Sequence, residues 1–159
     1  MIVIIRILAG WMMAQEDDAF DLVCAYLNRL GVRYQADKSK NSIMSVWTMK
    51  NIPEVRVTIS VSEKWVHIYV YLYDSKQLEP DQRNALYAEL LRANYDLSLV
   101  QYSLDPNGMV VVSTEFVATT LGFEEFKAGL NGVLYGAEEH WGNKIYPNLP
   151  KAKPTDFVV

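Results

Sequence analysis

The residues of this 159-residue chain best equipped for chemistry are two histidines, one cysteine and two short charged runs. His67 and His140 could each serve as an acid, a base or a metal ligand. Neither has a second His, or a Cys, at the spacing a metal site needs, so structural roles are expected for both. Glu138-Glu139-His140 looks like a cluster, yet consecutive helical residues point in different directions. A solvated helix end, with His140 at its negative pole, accounts for the run. Glu16-Asp17-Asp18 reads in the same way as a charged helix entry. Cys24 follows Phe20 by four residues and lies beside an apolar stripe, where cysteine behaves as a small hydrophobe; no basic neighbour in sequence would lower its pKa. The chain has no Gly-rich phosphate loop, Gly-x-Ser-x-Gly elbow, His-Glu-x-x-His or Cys-x-x-Cys. This inventory implies no catalysis, no metal and no cofactor.

The elements that would position these residues can be read from pattern. Asp17 or Asp18 can cap a first helix whose apolar residues Phe20, Val23, Leu27 and Leu30 fall at helical spacing, with Gly31 placed to end it. Residues 43–50, 54–62 and 65–74 are rich in β-branched and aromatic side chains and separated by short polar or Pro-containing breaks, which reads as a three-stranded meander. With Glu63-Lys64 as a two-residue loop, Val61 faces Val66, Ile59 faces Ile68, Val57 faces Val70 and Val55 faces Leu72, all on one aliphatic side. The other side sets Ser62 against Trp65, Ser60 against His67, Thr58 against Tyr69, and Arg56 against Tyr71, a pair suited to a cation–π contact. A loop at Ile52-Pro53 puts Trp47 and Met49 on the aromatic side; a three-residue loop would move them to the core. The shorter loop is the expectation.

A second helix is signalled by Pro80 and Asp81 in its first turn and by Leu86, Tyr87, Leu90 and Leu91. It should end near Asn94. Residues 97–104 and 109–117 flank Asp105-Pro106-Asn107-Gly108, in which Pro suits a type I turn and Gly supplies the positive φ that follows. This is the sharpest local signal in the chain, and it says hairpin. A last helix should run from Phe123 to about Trp141 and bury Phe126, Leu130, Val133, Leu134 and Ala137. Gly129, Gly132 and Gly136 lie on one side of it, which implies either that another backbone approaches that side closely or that the helix is locally weak.

Composition bounds the rest. A chain that is 50% hydrophobic and 21% charged, at this length, can bury roughly 70% of its unfolded surface in one core. With 15 Lys+Arg against 19 Asp+Glu the net charge is −4, which argues against nucleic acid as a partner. One cysteine excludes an intrachain disulfide and fits a reducing, cytoplasmic setting. Residues 1–14 are apolar apart from Arg6, too short to span a bilayer, which needs about 20 residues, and unlike a secretory signal in the placing of charge and small residues. An ordered extension, a true start at Met12 or Met13, and an interfacial anchor are the readings open for this stretch. Residues 143–159, with three prolines and three lysines, read as an extended or mobile C-terminal tail, leaving 15–142 as a single domain.

The expected order is therefore α-β-β-β-α-β-β-α, an α+β fold with a five-stranded antiparallel sheet and three helices. Leu90-Leu91-Arg92-Ala93-Asn94-Tyr95, then Leu97-Ser98-Leu99, then Leu104-Asp105-Pro106-Asn107-Gly108 and Val110-Val111-Val112, resemble the YbjN-like family of the type III secretion chaperone-like superfamily. The likeness is strongest from about Pro80 to Trp141. The apolar N-terminal run and the Pro/Lys tail fall outside the pattern. The resemblance implies a small, often dimeric, chaperone-like or regulatory domain that binds other proteins, and it offers no catalytic residue. The expected partner surface is the aromatic sheet side, with Trp47, Arg56, Trp65, Tyr69, Tyr71 and Tyr73, provided no helix covers it. The expected homodimer contact is the wide stripe Leu86, Tyr87, Leu90 and Leu91. The alternative is a small-ligand sensor with an aromatic-lined cleft between sheet and helices.

Overall fold

The computed structural model describes residues 18–149, so the apolar run of residues 1–14 and the chain beyond Leu149 lie outside the described residues. Helix α1 (Ala19–Arg29) begins where the Asp18 carboxylate accepts from the Phe20 N–H at 3.1 Å, and it ends at Gly31, whose φ is +69°. It buries Phe20, Val23 and Leu27, the stripe the spacing predicts. Six strands follow rather than five: β1 (Gln35–Asp37), β2 (Ser42–Trp47), β3 (Val55–Val61), β4 (Trp65–Asp74), and, after helix α2 (Pro80–Asp96), β5 (Gln101–Leu104) and β6 (Met109–Val117). They form one antiparallel sheet in the order β1-β2-β3-β4-β6-β5. The additional strand is β1, three residues at the sheet edge, too short to show an alternating pattern in sequence. Helix α3 (Phe123–Tyr135) closes the order and continues as a π-helical stretch over Gly136–Ile145.

The β3–β4 register agrees with the side-chain pattern: Val61 faces Val66, Ser60 faces His67, Ile59 faces Ile68 and Thr58 faces Tyr69. Ser62 and Trp65 close the two-residue loop through the Ser62 N–H to the Trp65 carbonyl at 2.8 Å. The β5–β6 turn is held by Asp105, whose Oδ1 accepts from the backbone N–H of Asn107 at 2.8 Å and of Met109 at 2.9 Å, while Gly108 takes φ +83°.

All three helices pack on the aliphatic side of the sheet. Val57, Ile59, Val66, Ile68, Val70 and Val112 meet Val23 and Leu27 of α1, Leu86 and Leu90 of α2, and Phe126, Leu130 and Val133 of α3 in one core. The glycines of the last helix answer to that packing. A Cβ at Gly129 would run into the Phe116 ring, one at Gly136 would sit 2.8 Å from Val112 Cγ2, and one at Gly132 would sit 2.9 Å from Val100 Cγ1. Side chains of β6 and of Val100 just before β5, rather than the other backbone expected, make the close approach.

The helix does not stop at Trp141. Its π-helical stretch reaches Ile145 and a short 3₁₀ turn follows over Tyr146–Asn148, so residues 143–148 are helical where an extended tail was expected. The reason is apolar: Trp141 is fully buried, Ile145 is 3% exposed, and Tyr146 and Leu149 pack against the same core. Gly142 lets the stretch lie against the loop before β3, with Asn51 Cβ and Ile52 Cγ1 each 3.2 Å from where its Cβ would be.

Candidate functional site

The sheet face turned away from the helices carries the row Trp65, His67, Tyr69 and Tyr71 along β4. Its neighbours across β6 are Val117, Glu115, Ser113 and Val111, and on the other flank β3 contributes Ser60 and Thr58. No helix among the described residues packs on this face. Trp65 is 46% exposed and Tyr71 41%, and His67 and Tyr69 are half-buried by one another. The His67 and Tyr69 rings lie 4.8 Å apart, and Tyr69 meets Tyr71 edge-on at 5.5 Å. Burial pushes the His67 imidazole pKa down, against the opposing pull of Glu115, and pushes the Tyr69 phenol up, helped by Tyr71. His67 and Tyr69 are therefore neutral at physiological pH. Beside it, Tyr69, Tyr71, His67, Ser103 and Asp105 line an open cleft of about 320 Å³.

Two residues expected on this face are placed differently, and a third, Arg56, stands on it without the ring contact expected of it. Tyr73 lies in the core at 2% exposure, against Trp141 with ring centroids 6.1 Å apart. The cause is a β-bulge: Tyr71 pairs with Val111 and Tyr73 with Val110, so Leu72 is an extra residue and everything after it changes side. Trp47 pairs with Val55 and points to the helix side, half-buried, with its indole N–H on the Ser45 hydroxyl at 2.9 Å. The connection before β3 spans residues 48–54, longer than either loop considered, and it sets this register. Arg56 alternates with the buried Val55 and Val57 and so lies on the expected face beside Thr58, 3.9 Å from Glu54 and with its Nε buried and unpaired; the cation–π contacts among the described residues are Arg29 on Phe123 and Lys38 on Phe20. Trp65, Tyr69 and Tyr71 stand together as expected. His67 and Asp105 complete the cleft, and sequence reasoning passed over both, one as a strand histidine and one as a turn residue. The signal that could have found them is the adjacency of β4, β6 and β5, which no local pattern encodes.

The α2 stripe divides. Leu86 and Leu90 are spent on the protein's own core at 3% and 5% exposure, and Tyr87 hydrogen-bonds to the buried Ser75 hydroxyl at 2.8 Å. Leu91 is 72% exposed, one turn before the still more exposed Tyr95. Between sheet and helices the aromatic side chains Tyr73, Tyr102 and Trp141 are all buried, so that layer is packed rather than hollow.

The remaining reactive groups are arranged for structure. The Cys24 thiol pKa is raised by burial, which disfavours the thiolate. His140 is buried with Nδ1 3.5 Å from the Tyr102 hydroxyl, which itself donates to the Gly136 carbonyl at 2.7 Å. Burial and Lys144 lower the His140 pKa, opposed by Asp96 and Glu89. Among the described residues no three His, Cys, Asp or Glu side chains gather to hold a metal. No helix among them is long and apolar enough to cross a membrane.

The family model CesT_Tir_1, of a type III secretion chaperone family, matches residues 16–143. The chain belongs to this family. No curated protein matches the sequence. Among solved structures, the ExsC–ExsE complex is similar at 19% identity and a TM-score of 0.57, covering 89% of this chain and 100% of that one. YbjN from E. coli is similar at 14% identity and a TM-score of 0.55, covering 76% of this chain and 89% of that one. The HopA1–SchA chaperone–effector complex follows at 15% identity and a TM-score of 0.52, with 77% and 95% covered. At these identities the structures establish a shared fold: an antiparallel sheet with three helices, as the element order predicts.

Proposed function

We propose that this chain is a non-catalytic, chaperone-like or regulatory module that binds another protein through the uncovered sheet face centred on Trp65, Tyr69 and Tyr71. One observation carries the reading: every helix of the described chain lies on the opposite side, leaving an aromatic row beside serine and threonine hydroxyls. Tyr and Trp offer large apolar area with a polar tip at small entropic cost, which suits a recognition surface. Family membership supports the choice of partner class, since HopA1–SchA is a chaperone–effector complex. A cytoplasmic setting goes with this role and with the single, unpaired cysteine.

The test is affinity capture from a native lysate with wild type beside a Tyr69→Ser, Tyr71→Ser variant of matched thermal stability. Loss of the same captured protein from the variant supports the face; unchanged capture refutes it. A homodimer through α2 belongs to the same proposal, built on Leu91 and Tyr95 rather than on the buried Leu86 and Leu90. Sedimentation at roughly tens of micromolar, a range that detects even weak specific association, should give a dimer that Leu91→Glu dissociates. A wild-type monomer there would refute this part alone.

A further inference from the structure

We propose that the cleft between Tyr69, Tyr71 and His67 seats one arginine side chain of the bound partner segment. This rests on the docking-face reading and adds what the face selects. The cleft, about 320 Å³, is at the small end of the about 300–1,000 Å³ typical of ligand sites, which suits a single side chain rather than a cofactor. Its walls are of two kinds. The phenol rings of Tyr69 and Tyr71 meet edge-on with centroids 5.5 Å apart, too close to admit a guest between them, so a planar cation is received over an outer ring face, Tyr71 being 41% exposed. Guanidinium stacks on such surfaces better than ammonium, being flat and weakly hydrated.

The second kind is acidic. Asp105 lies on the rim where β5 ends, and Glu115 stands directly across the ladder from His67. Asp105 Oδ1 is committed to the turn, whereas Oδ2 meets only the Asn107 amide, at 3.5 Å. That oxygen can take a hydrogen bond from a guanidinium without unmaking the hairpin. Of the groups that could compete, burial keeps His67 neutral, and Arg56, on the same face of β3, has its charge offset by Glu54 at 3.9 Å. Aromatic rings with the Asp105 carboxylate among the cleft's lining, Glu115 outside it beyond His67, and no charged imidazole make a site that favours a cation and rejects an anion.

The probe is N-acetyl-arginine amide, titrated into the full chain and followed by NMR at the Tyr69 and Tyr71 ring and His67 imidazole signals, beside its neutral isostere N-acetyl-citrulline amide. Saturable shifts confined to these three residues are expected, at least about fivefold weaker for citrulline and weakened by salt. Tyr71→Leu, which keeps apolar bulk, should weaken arginine about two- to fivefold, the equivalent of about 0.5–1 kcal/mol for an exposed cation–π contact. Asp105→Asn keeps the acceptor that holds the turn and removes the charge, and it should weaken arginine by a similar factor. Equal response to citrulline, shifts elsewhere, or no shifts overturn the proposal. The two readings fail separately. If the Tyr69→Ser, Tyr71→Ser variant loses its captured protein while arginine gives no cleft shifts, the cleft assignment falls and the face stands. If arginine binds the cleft while capture is unchanged, the reverse holds.

Discussion

Gly129→Ala is the substitution on which helix propensity and tertiary packing disagree most sharply. In an isolated helix the exchange should stabilise by about 1 kcal/mol, because alanine loses less backbone entropy. In this protein the added methyl would meet the ring of Phe116, with Thr114 Cγ2 only 3.1 Å away. Phe116 is 8% exposed and sits in the core, so its ring has little room to retreat. Overpacking of this kind costs about 1–3 kcal/mol, which outweighs the propensity gain and leaves a net loss of about 1 kcal/mol or more. For a chain of this size that lowers Tm by about 2–4 °C for each kcal/mol. Thermal and urea unfolding of Gly129→Ala, Phe116→Leu and the double variant form a double-mutant cycle. Gly129→Ala should be destabilising alone and neutral or stabilising once the ring is removed, a coupling of at least about 1 kcal/mol. If Gly129→Ala stabilises the wild type by the bare propensity difference and shows no coupling, the reasoning is refuted.

Two further outcomes follow from the buried polar groups. His140 has a folded pKa below its unfolded value because of burial and Lys144, so the unfolded chain binds the proton more readily. Its contribution is therefore fully present above about pH 6.5, the free imidazole value, and is lost as pH falls through that value toward the folded pKa; the urea midpoint should drop over that window and the slope should shrink in His140→Phe. His67 acts with the same sign, so a second variant at that position apportions the remainder, and an unchanged slope in both variants would contradict the assignment. Asn94 holds both backbone groups of Tyr102, its Oδ1 accepting from the N–H at 2.6 Å and its Nδ2 donating to the carbonyl at 3.0 Å. Asn94→Ala should cost about 1–3 kcal/mol in chemical denaturation and, by uncovering the β5 edge, increase concentration-dependent association in light scattering; a variant as stable and as monodisperse as wild type would count against this role.

Much of the fold was legible because its signals are local. The Asp18 cap, the Asp105–Gly108 turn and the Glu63-Lys64 loop each depend on residues within a few positions, and strict alternation fixed the register of Thr58–Val61 against Val66–Tyr69. The candidate site was legible to the same extent: Trp65, Tyr69 and Tyr71 share a side because alternation carries them there. Tyr73 was lost because Val66, Ile68, Val70 and Leu72 alternate with His67, Tyr69, Tyr71 and Tyr73 without interruption, and a bulge inside such a run leaves no trace in composition. Trp47 was lost because its side depends on the path of the seven residues 48–54, which is pinned by the buried Ile52 and by Asn51, held by Glu138 from the far end of the described chain. The width of the α2 stripe misled in the other direction. Apolar periodicity counts what can be buried and does not say against what, and Leu86 and Leu90 found their partners at home.

The bulge at Leu72 also works as a ruler. Trp65, His67, Tyr69 and Tyr71 stand two residues apart, so at about 3.4 Å per residue the aromatic row measures about 20 Å from end to end. Two residues further, past the bulge, the strand turns its next tyrosine inward against Trp141, and the row stops. Twenty ångströms is about six residues of extended chain or nearly four turns of helix. The length of the exposed aromatic row is thus set by one aliphatic residue that is itself buried. Shifting that residue along β4 would lengthen or shorten the row in steps of about 7 Å, each step adding or removing one ring and, at the same stroke, emptying or crowding the space above Trp141.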